Sequence, residues 1–293
     1  MHKIIVITGP TAVGKTKLSI ELAKKYDGEI INADAVQVYK GLNIGSAKVT
    51  EEEKEGIPHH LLDFKEVTEE YTIYHYQKDC REKIKDIQSK NKTPILVGGT
   101  GLYIKAALYD YKLSEEKSTN TYDNLTNEEL YEELKKLDKD IIIDKDNRRR
   151  LIRAINYYKE NNESINKNKT NKLLYNVIFI GLTTDRQVLY DKINKRVDEM
   201  ISQGLLEEVK SFYDKGIKSK PLLNAIGYRE LYNYLDGNCT KEEAIEKIKQ
   251  NSRRYAKRQY TFFNHQLPVV WFETDYNNFN NTIEKVASYI DSN

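Results

Sequence analysis

The chain has little cysteine, no long hydrophobic run and no excess of charge of one sign. Cys80 and Cys239 are the only two cysteines in 293 residues. They stand alone, in stretches that read as a helix and a turn, so there is neither a disulfide framework nor a metal-ligand spacing, and a reducing cytoplasm is the expected compartment. No apolar stretch approaches the ~20 residues that a membrane span needs, so no membrane partner is expected. The opening apolar run is short and ends in a glycine-rich loop, which is not the pattern of a secretory leader. Lys and Arg number 47 against 45 Asp and Glu, a formal net charge of +2. Any case for a polyanionic partner therefore has to come from local clusters. No internal repeat is present.

Hydrophobic residues make up 39% of the chain and charged residues 31%. A sizeable core under a heavily solvated surface follows, and the 22 tyrosines can line a groove as readily as fill a core. The length exceeds the usual ~100–200 residues of one domain, so the expectation is one large α/β core with an insertion, or two domains.

Residues 9–16 read Gly-Pro-Thr-Ala-Val-Gly-Lys-Thr, a complete G-x-x-x-x-G-K-[ST] loop, directly after the apolar run Ile4, Ile5, Val6, Ile7. Such a loop works when a buried strand delivers it and a helix N-terminus closes it. Leu18, Ile20, Leu22 and Ala23 supply that helix, with Gly28 as its expected left-handed cap. The loop, Gly9, Pro10, Thr11, Ala12, Val13, Gly14, Lys15 and Thr16, is thus a candidate phosphate or diphosphate site. Backbone N–H groups of residues 11–16 would surround the anion, with the Lys15 ammonium on its oxygens and the Thr16 hydroxyl on Mg²⁺.

Short apolar runs alternate with helical patterns through the first 110 residues, at 4–7, 30–31 and 95–97, which argues a parallel sheet with crossovers. A helix is expected over 73–90. In doubly wound sheets ligands bind at the carboxyl ends of the strands, so residues 8–9, 32–37 and 98–101 should converge on one crevice. From 113 to 171 polar residues dominate, with helical patterns at 127–137 and 147–158 and a loop read as mobile at 159–172. Strand 177–181, helices over 186–215, 222–235 and 241–265, a strand at 269–272 and a helix at 278–290 complete the pattern. The fold expectation is α/β: a P-loop parallel-sheet core at 1–112 and 172–293, and a helical insertion at 113–171.

Asp34 follows the second strand. It suits a general base or ligand-orienting acceptor, the favoured reading because P-loop folds acting on small substrates often place their base at this position; the alternative is an N-cap for the next helix turn. The third strand ends in Gly98-Gly99, where an energy-transducing NTPase would carry a metal-binding Asp; a small-molecule kinase with ATP in the loop stays open. Two basic clusters are visible, Lys145 with Arg148, Arg149, Arg150 and Arg153, and Arg253, Arg254, Lys257 and Arg258 at i, i+1, i+4, i+5. Either could be a solvated helix face. With Tyr255, Tyr260, Phe262 and Phe263 interleaved, the two together favour nucleic acid. Adjacent His59 and His60 point different ways and suit a structural or substrate-orienting role better than a metal site.

Eight segments in order, 9–16, Asn-Ala-Asp-Ala-Val-Gln-Val-Tyr (32–39), Asn-Ile-Gly-Ser-Ala-Lys (43–48), Pro-His-His-Leu-Leu-Asp (58–63), Val-Gly-Gly-Thr-Gly-Leu-Tyr (97–103), Asn-Arg-Arg-Arg-Leu-Ile-Arg-Ala (147–154), Ala-Ile-Gly-Tyr-Arg-Glu (225–230) and Ala-Lys-Arg-Gln-Tyr-Thr-Phe-Phe (256–263), together resemble the bacterial tRNA dimethylallyltransferases. The resemblance implies transfer of a dimethylallyl group from dimethylallyl diphosphate to N6 of the adenosine 3′ of the anticodon, by a cytoplasmic monomer using Mg²⁺. It implies Asp34 as general base, Thr11 as a loop hydroxyl near the reacting centre, and Arg229 as a substrate-binding arginine. The flipped adenine would sit among Asp34, Ala35, Val36, Gln37 and Thr100, and the anticodon stem-loop on the two basic clusters. Departures from the pattern are Asn32 and Ala35 for serines, Phe262 for a Trp, Asn264 for an Arg, and a shortened, Arg-free stretch at 114–124.

Overall fold

The computed structural model describes residues 3–111, 113, 122–166 and 171–293. Residues 114–121 of the shortened stretch lie outside them. Two compact units divide the chain, 1–108 with 175–293, and 109–174.

The larger unit begins with β1 (Ile4–Thr8), α1 (Lys15–Lys25), β2 (Gly28–Asn32), α2 (Glu51–Lys54), β3 (His59–His60), α3 (Ile73–Ser89), β4 (Thr93–Val97) and α4 (Gly101–Leu108). The smaller unit contributes α5 (Asn127–Leu137) and α6 (Arg148–Asn161). The larger unit resumes with β5 (Val177–Thr183), α7 (Arg186–Ser202), α8 (Leu205–Tyr213), α9 (Lys220–Asn224), α10 (Tyr228–Leu235), α11 (Lys241–Gln266), β6 (Val270–Glu273) and α12 (Phe279–Ser292).

The strands form one sheet in the order β3-β2-β4-β1-β5-β6, every pair parallel. β1 sits inside it, with Val6 against Leu96 on one side and Phe179 on the other. A parallel strand covered on both faces has to be apolar throughout, and all five residues of β1 are buried. The carboxyl ends of β1, β2 and β4 therefore lie side by side, which places the segments 8–9, 32–37 and 98–101 at one rim.

Three local expectations need correction. Gly28 does not cap α1: Asp27 takes the left-handed conformation at φ 45°, and Gly28 opens β2. A Cβ there would come within 2.7 Å of the Ile95 side chain, so close strand packing is what the glycine serves. The 186–215 pattern is interrupted at Gly204 (φ 100°), and the 222–235 pattern before Gly227 (φ 97°), giving four helices in place of two. His59 and His60, by contrast, take the structural role expected of them: they form an edge strand, where His60 Nε2 lies 2.7 Å from Glu29 Oε2 and so ties β3 to β2. Finally, residues 159–161 continue α6 instead of opening a loop, because Lys159 reaches Glu133 on α5 at 2.6 Å; residues 167–170 lie outside the described set.

In the smaller unit, Leu130 and Leu134 of α5 meet Leu151, Ala154 and Ile155 of α6 in a separate apolar cluster. Thr126 and Glu129 close a reciprocal cap on the first turn of α5.

Candidate active site

The phosphate loop forms as its sequence requires. Gly14 caps α1 at φ 93°, and the first intrahelical bond is Leu18 N–H to the Gly14 carbonyl. The amides of Lys15, Thr16 and Lys17 are thus left for an anion at the positive end of the helix. Thr274 braces the loop from behind, its hydroxyl donating to the Val13 carbonyl at 3.0 Å. The Lys15 ammonium donates to the carbonyls of Gly9 (3.1 Å) and Pro10 (2.6 Å). Lys15 as a whole is partly exposed, but its ammonium is enclosed by protein. That burial, with the positive charge of Arg196 adding and the negative charge of Asp34 opposing, brings its pKa down to about 7.

Asp34 caps a turn and also lines the crevice. Its Oδ1 accepts from the amides of Val36 (2.8 Å) and Gln37 (3.4 Å), fixing the turn after β2. Its charge is felt by Lys15, Arg196 and Tyr255 across the same crevice. Asn32, which replaces a serine of the family pattern, donates to the carbonyls of Asp34 (3.1 Å) and Leu61 (2.9 Å), while its Oδ1 accepts the Asp34 amide. Thr100 Oγ1 accepts from the Ala35 amide at 3.1 Å, so the ends of β2 and β4 are cross-linked at the acid.

These parts line a cavity of about 1270 Å³. That exceeds the ~300–1,000 Å³ of an ordinary small-ligand pocket and leaves room for two reactants. Thr11, Ala12, Gly14, Lys15, Thr16, the run 34–37, Thr100, Arg229, Arg254 and Arg258 all face it. Nine Lys and Arg against five Asp and Glu make its lining cationic, on a chain that is nearly neutral overall. Gly9, Pro10 and Val13 lie behind the loop and do not line it. Arg229 is held by Glu230, Nη2 to Oε1 at 2.7 Å, and Glu230 is itself fixed by the Gly227 amide.

The stripe on α11 divides. Arg254 and Arg258 face the cavity, Lys257 is exposed away from it, and Arg253 is turned onto α7, where it donates to Asn194 Oδ1. In the smaller unit Arg148 donates to the carbonyls of Leu125 and Tyr122, Arg149 and Arg150 are exposed, and Arg153 is half-buried.

Sequence reasoning missed Arg196 on α7, whose pKa burial lowers against the charges of Glu53, Asp34 and Glu199. It also missed Tyr255 and Gln259 as cavity residues. Burial, then the Asp34 charge, push the Tyr255 phenol up to about 12, so it stays a donor beside Thr100. Gln259 is buried; its Nε2 donates to the Gly99 carbonyl at 3.0 Å while its Oε1 has no partner among the described residues. Only the i, i+4 relation of Tyr255 and Gln259 on a basic helix could have singled them out. Arg196 carries no sequence signal of its own.

Comparison with known proteins agrees with this geometry. The family model described as IPP transferase matches residues 37–266. The tRNA dimethylallyltransferase of Anoxybacillus flavithermus is 50% identical, across 99% of this chain and 96% of that protein, and that of Geobacillus thermodenitrificans is 49% identical with the same coverage. A solved tRNA isopentenylpyrophosphate transferase from Bacillus halodurans superposes with a TM-score of 0.78 at 41% identity, covering 100% of this chain and 96% of that one. A eukaryotic dimethylallyltransferase solved while acting on tRNA gives 0.89 at 30% identity, covering 100% and 79%. A parallel-sheet core with an intact phosphate loop, an acid at the end of β2 and full-length likeness to these enzymes leave one assignment: the chain belongs to the IPP transferase family, the tRNA dimethylallyltransferases.

Proposed function

We infer that this protein transfers a dimethylallyl group from dimethylallyl diphosphate to N6 of the adenosine 3′-adjacent to the anticodon of tRNA. The observation that carries the reading is the convergence, in one cationic cavity, of the phosphate loop with Asp34 and Thr100. In the reaction the C1–O bond of the allylic diphosphate breaks, N6 bonds to C1, the N6 proton passes to Asp34, and diphosphate leaves. Lys15, Arg196 and Arg229 line the cavity beside the amides that open α1, which supports their taking the charge that builds on the departing oxygens.

Thr16 fits a Mg²⁺ site: it is an exposed hydroxyl residue on the first helical turn that lines the cavity beside the loop, and Mg²⁺ commonly uses one or two protein oxygens together with substrate phosphates and water. Bound there, the ion would neutralise charge on the leaving diphosphate. An adenine stacked in the anticodon loop cannot present N6 to C1, so the base has to be turned out into the cavity, against the run 34–37 and Thr100. The cations Arg254, Lys257 and Arg258, together with Arg149, Arg150 and Arg153, suit contacts with the stem-loop phosphates. Arg148 binds the Leu125 and Tyr122 carbonyls and Arg253 binds Asn194, and we assign each to supporting the basic helix that carries it.

A small-molecule kinase is not favoured, since relatives that match nearly the whole chain are tRNA dimethylallyltransferases. Among the described residues no helix is long and apolar enough to cross a membrane. The deciding experiment incubates the protein with unmodified tRNA, Mg²⁺ and either dimethylallyl diphosphate or ATP. One added C5 unit on a single adenosine, seen by mass spectrometry, is expected with the diphosphate; phosphoryl transfer from ATP without that adduct would overturn the reading.

A further inference from the structure

Glu208 on α8 is a carboxylate spent on backbone. Its Oε2 accepts the amides of Asn43 (3.0 Å) and Ile44 (2.8 Å), and its Oε1 accepts the amide of Gly45 (3.1 Å) and the phenol of Tyr228. Tyr228 is fully buried at the start of α10, and burial followed by the Glu208 charge holds its phenol far above the ordinary range, so it remains a donor. Its ring lies so close to Gly45 that a Cβ there would sit 2.5 Å from it. The 43–48 loop that forms one wall of the cavity is thereby fixed to α8 and α10.

The fixed loop is also connected to the acid. Gln37 Nε2 donates to the carbonyls of Ser46 (3.0 Å) and Ala47 (3.3 Å), and the Gln37 amide faces Asp34 Oδ1 at 3.4 Å, beside that of Val36. A chain of hydrogen bonds thus runs from Tyr228 and Glu208, through the loop and Gln37, to the Asp34 carboxylate. We propose that Glu208, with Tyr228, is a positioning residue for the transfer step, holding the Asp34 carboxylate in register by pinning the 43–48 loop. This rests on Asp34 receiving the N6 proton. Charge-assisted bonds from several amides to one carboxylate are strong and directional, and a displacement near 1 Å at a reacting group is enough to matter.

The test is a double-mutant cycle on single-turnover rates with tRNA and saturating dimethylallyl diphosphate. Glu208→Gln keeps the shape but turns an NH₂ group toward amide or phenol donors, and it should slow transfer by about 10²-fold. In an Asp34→Asn background the same change should cost little more, because the residue through which it acts is already disabled. Tyr228→Phe removes one donor, leaves the ring in place, and should show a smaller loss that likewise vanishes with Asp34→Asn; it serves if Glu208→Gln does not fold. Losses that multiply in the double mutants, or a Glu208→Gln protein of normal rate, overturn the proposal. A normal rate for Asp34→Asn alone overturns instead the role given to Asp34, and the proposal with it.

Discussion

The ammonium of Lys15 rests 2.6 Å from the carbonyl of Pro10, five residues back in its own loop. The group that would meet phosphate is held by the backbone of the loop that presents it, and its pKa there is about 7. Phosphate oxygens would raise that pKa. Below pH 7 Lys15 is already charged and binding takes up no proton through it; above pH 7 the free protein has to gain one. Affinity for dimethylallyl diphosphate should therefore fall by up to about tenfold per pH unit above 7, the limit for one linked proton. Calorimetry at pH 8 in buffers of different ionisation heat should show this uptake, and Lys15→Met should abolish it.

Lys15→Ala should remove most diphosphate binding and lower turnover by about 10²–10³-fold or more, the scale seen when one stabilising donor is lost. Affinity for tRNA should change little. An equal collapse of tRNA binding in a folded protein would show that the two substrates do not divide between the loop and the basic residues.

Asp34→Asn separates two duties of one side chain. The amide keeps Oδ1 as acceptor for Val36 N–H, so the turn survives, while proton acceptance is lost. Transfer should slow by about 10²–10⁴-fold with both substrates still bound. Asp34→Ala should add a fall in stability of about 1 kcal/mol from the lost cap, read in a denaturant melt.

On α11, neutralising Arg254 and Arg258 should each reduce the slope of log tRNA affinity against log salt by roughly 0.7–0.9. Arg253→Gln should leave that slope unchanged and lower the melting temperature, since its guanidinium binds Asn194. Dissociation constants at several salt concentrations, beside melting curves, distinguish the two.

The phosphate loop, the buried strands and the meeting of three strand ends were legible because each follows from contiguous residues: an apolar run, a glycine pattern, a polar turn. Asp34 was legible in place and as a capping acid, but not in which amides it takes, since that depends on where the Val36 and Gln37 N–H groups point. Glu208 was not legible at all. Glu207-Glu208 on a helix resembles any solvated face among 45 acids, and its partners lie about 165 residues earlier in the chain. The same limit hid Arg196, and hid the inward turn of Arg253, which shares its spacing with outward-facing neighbours. The two-residue edge strand β3 was missed because strand propensity cannot show in so short a run; its pairing with β2 is what defines it.

The tight seating of the β4 end bears on what this fold can become. An ideal Cβ on Gly98 would lie 2.2 Å from the Ala33 carbonyl, and one on Gly99 would lie 2.0 Å from Gln259 Nε2. A metal-gripping aspartate, the residue by which kindred folds turn nucleotide hydrolysis into motion, would press on backbone at Gly98 and displace the end of a buried side chain at Gly99. The β2 turn would have to retreat and α11 give up Gln259.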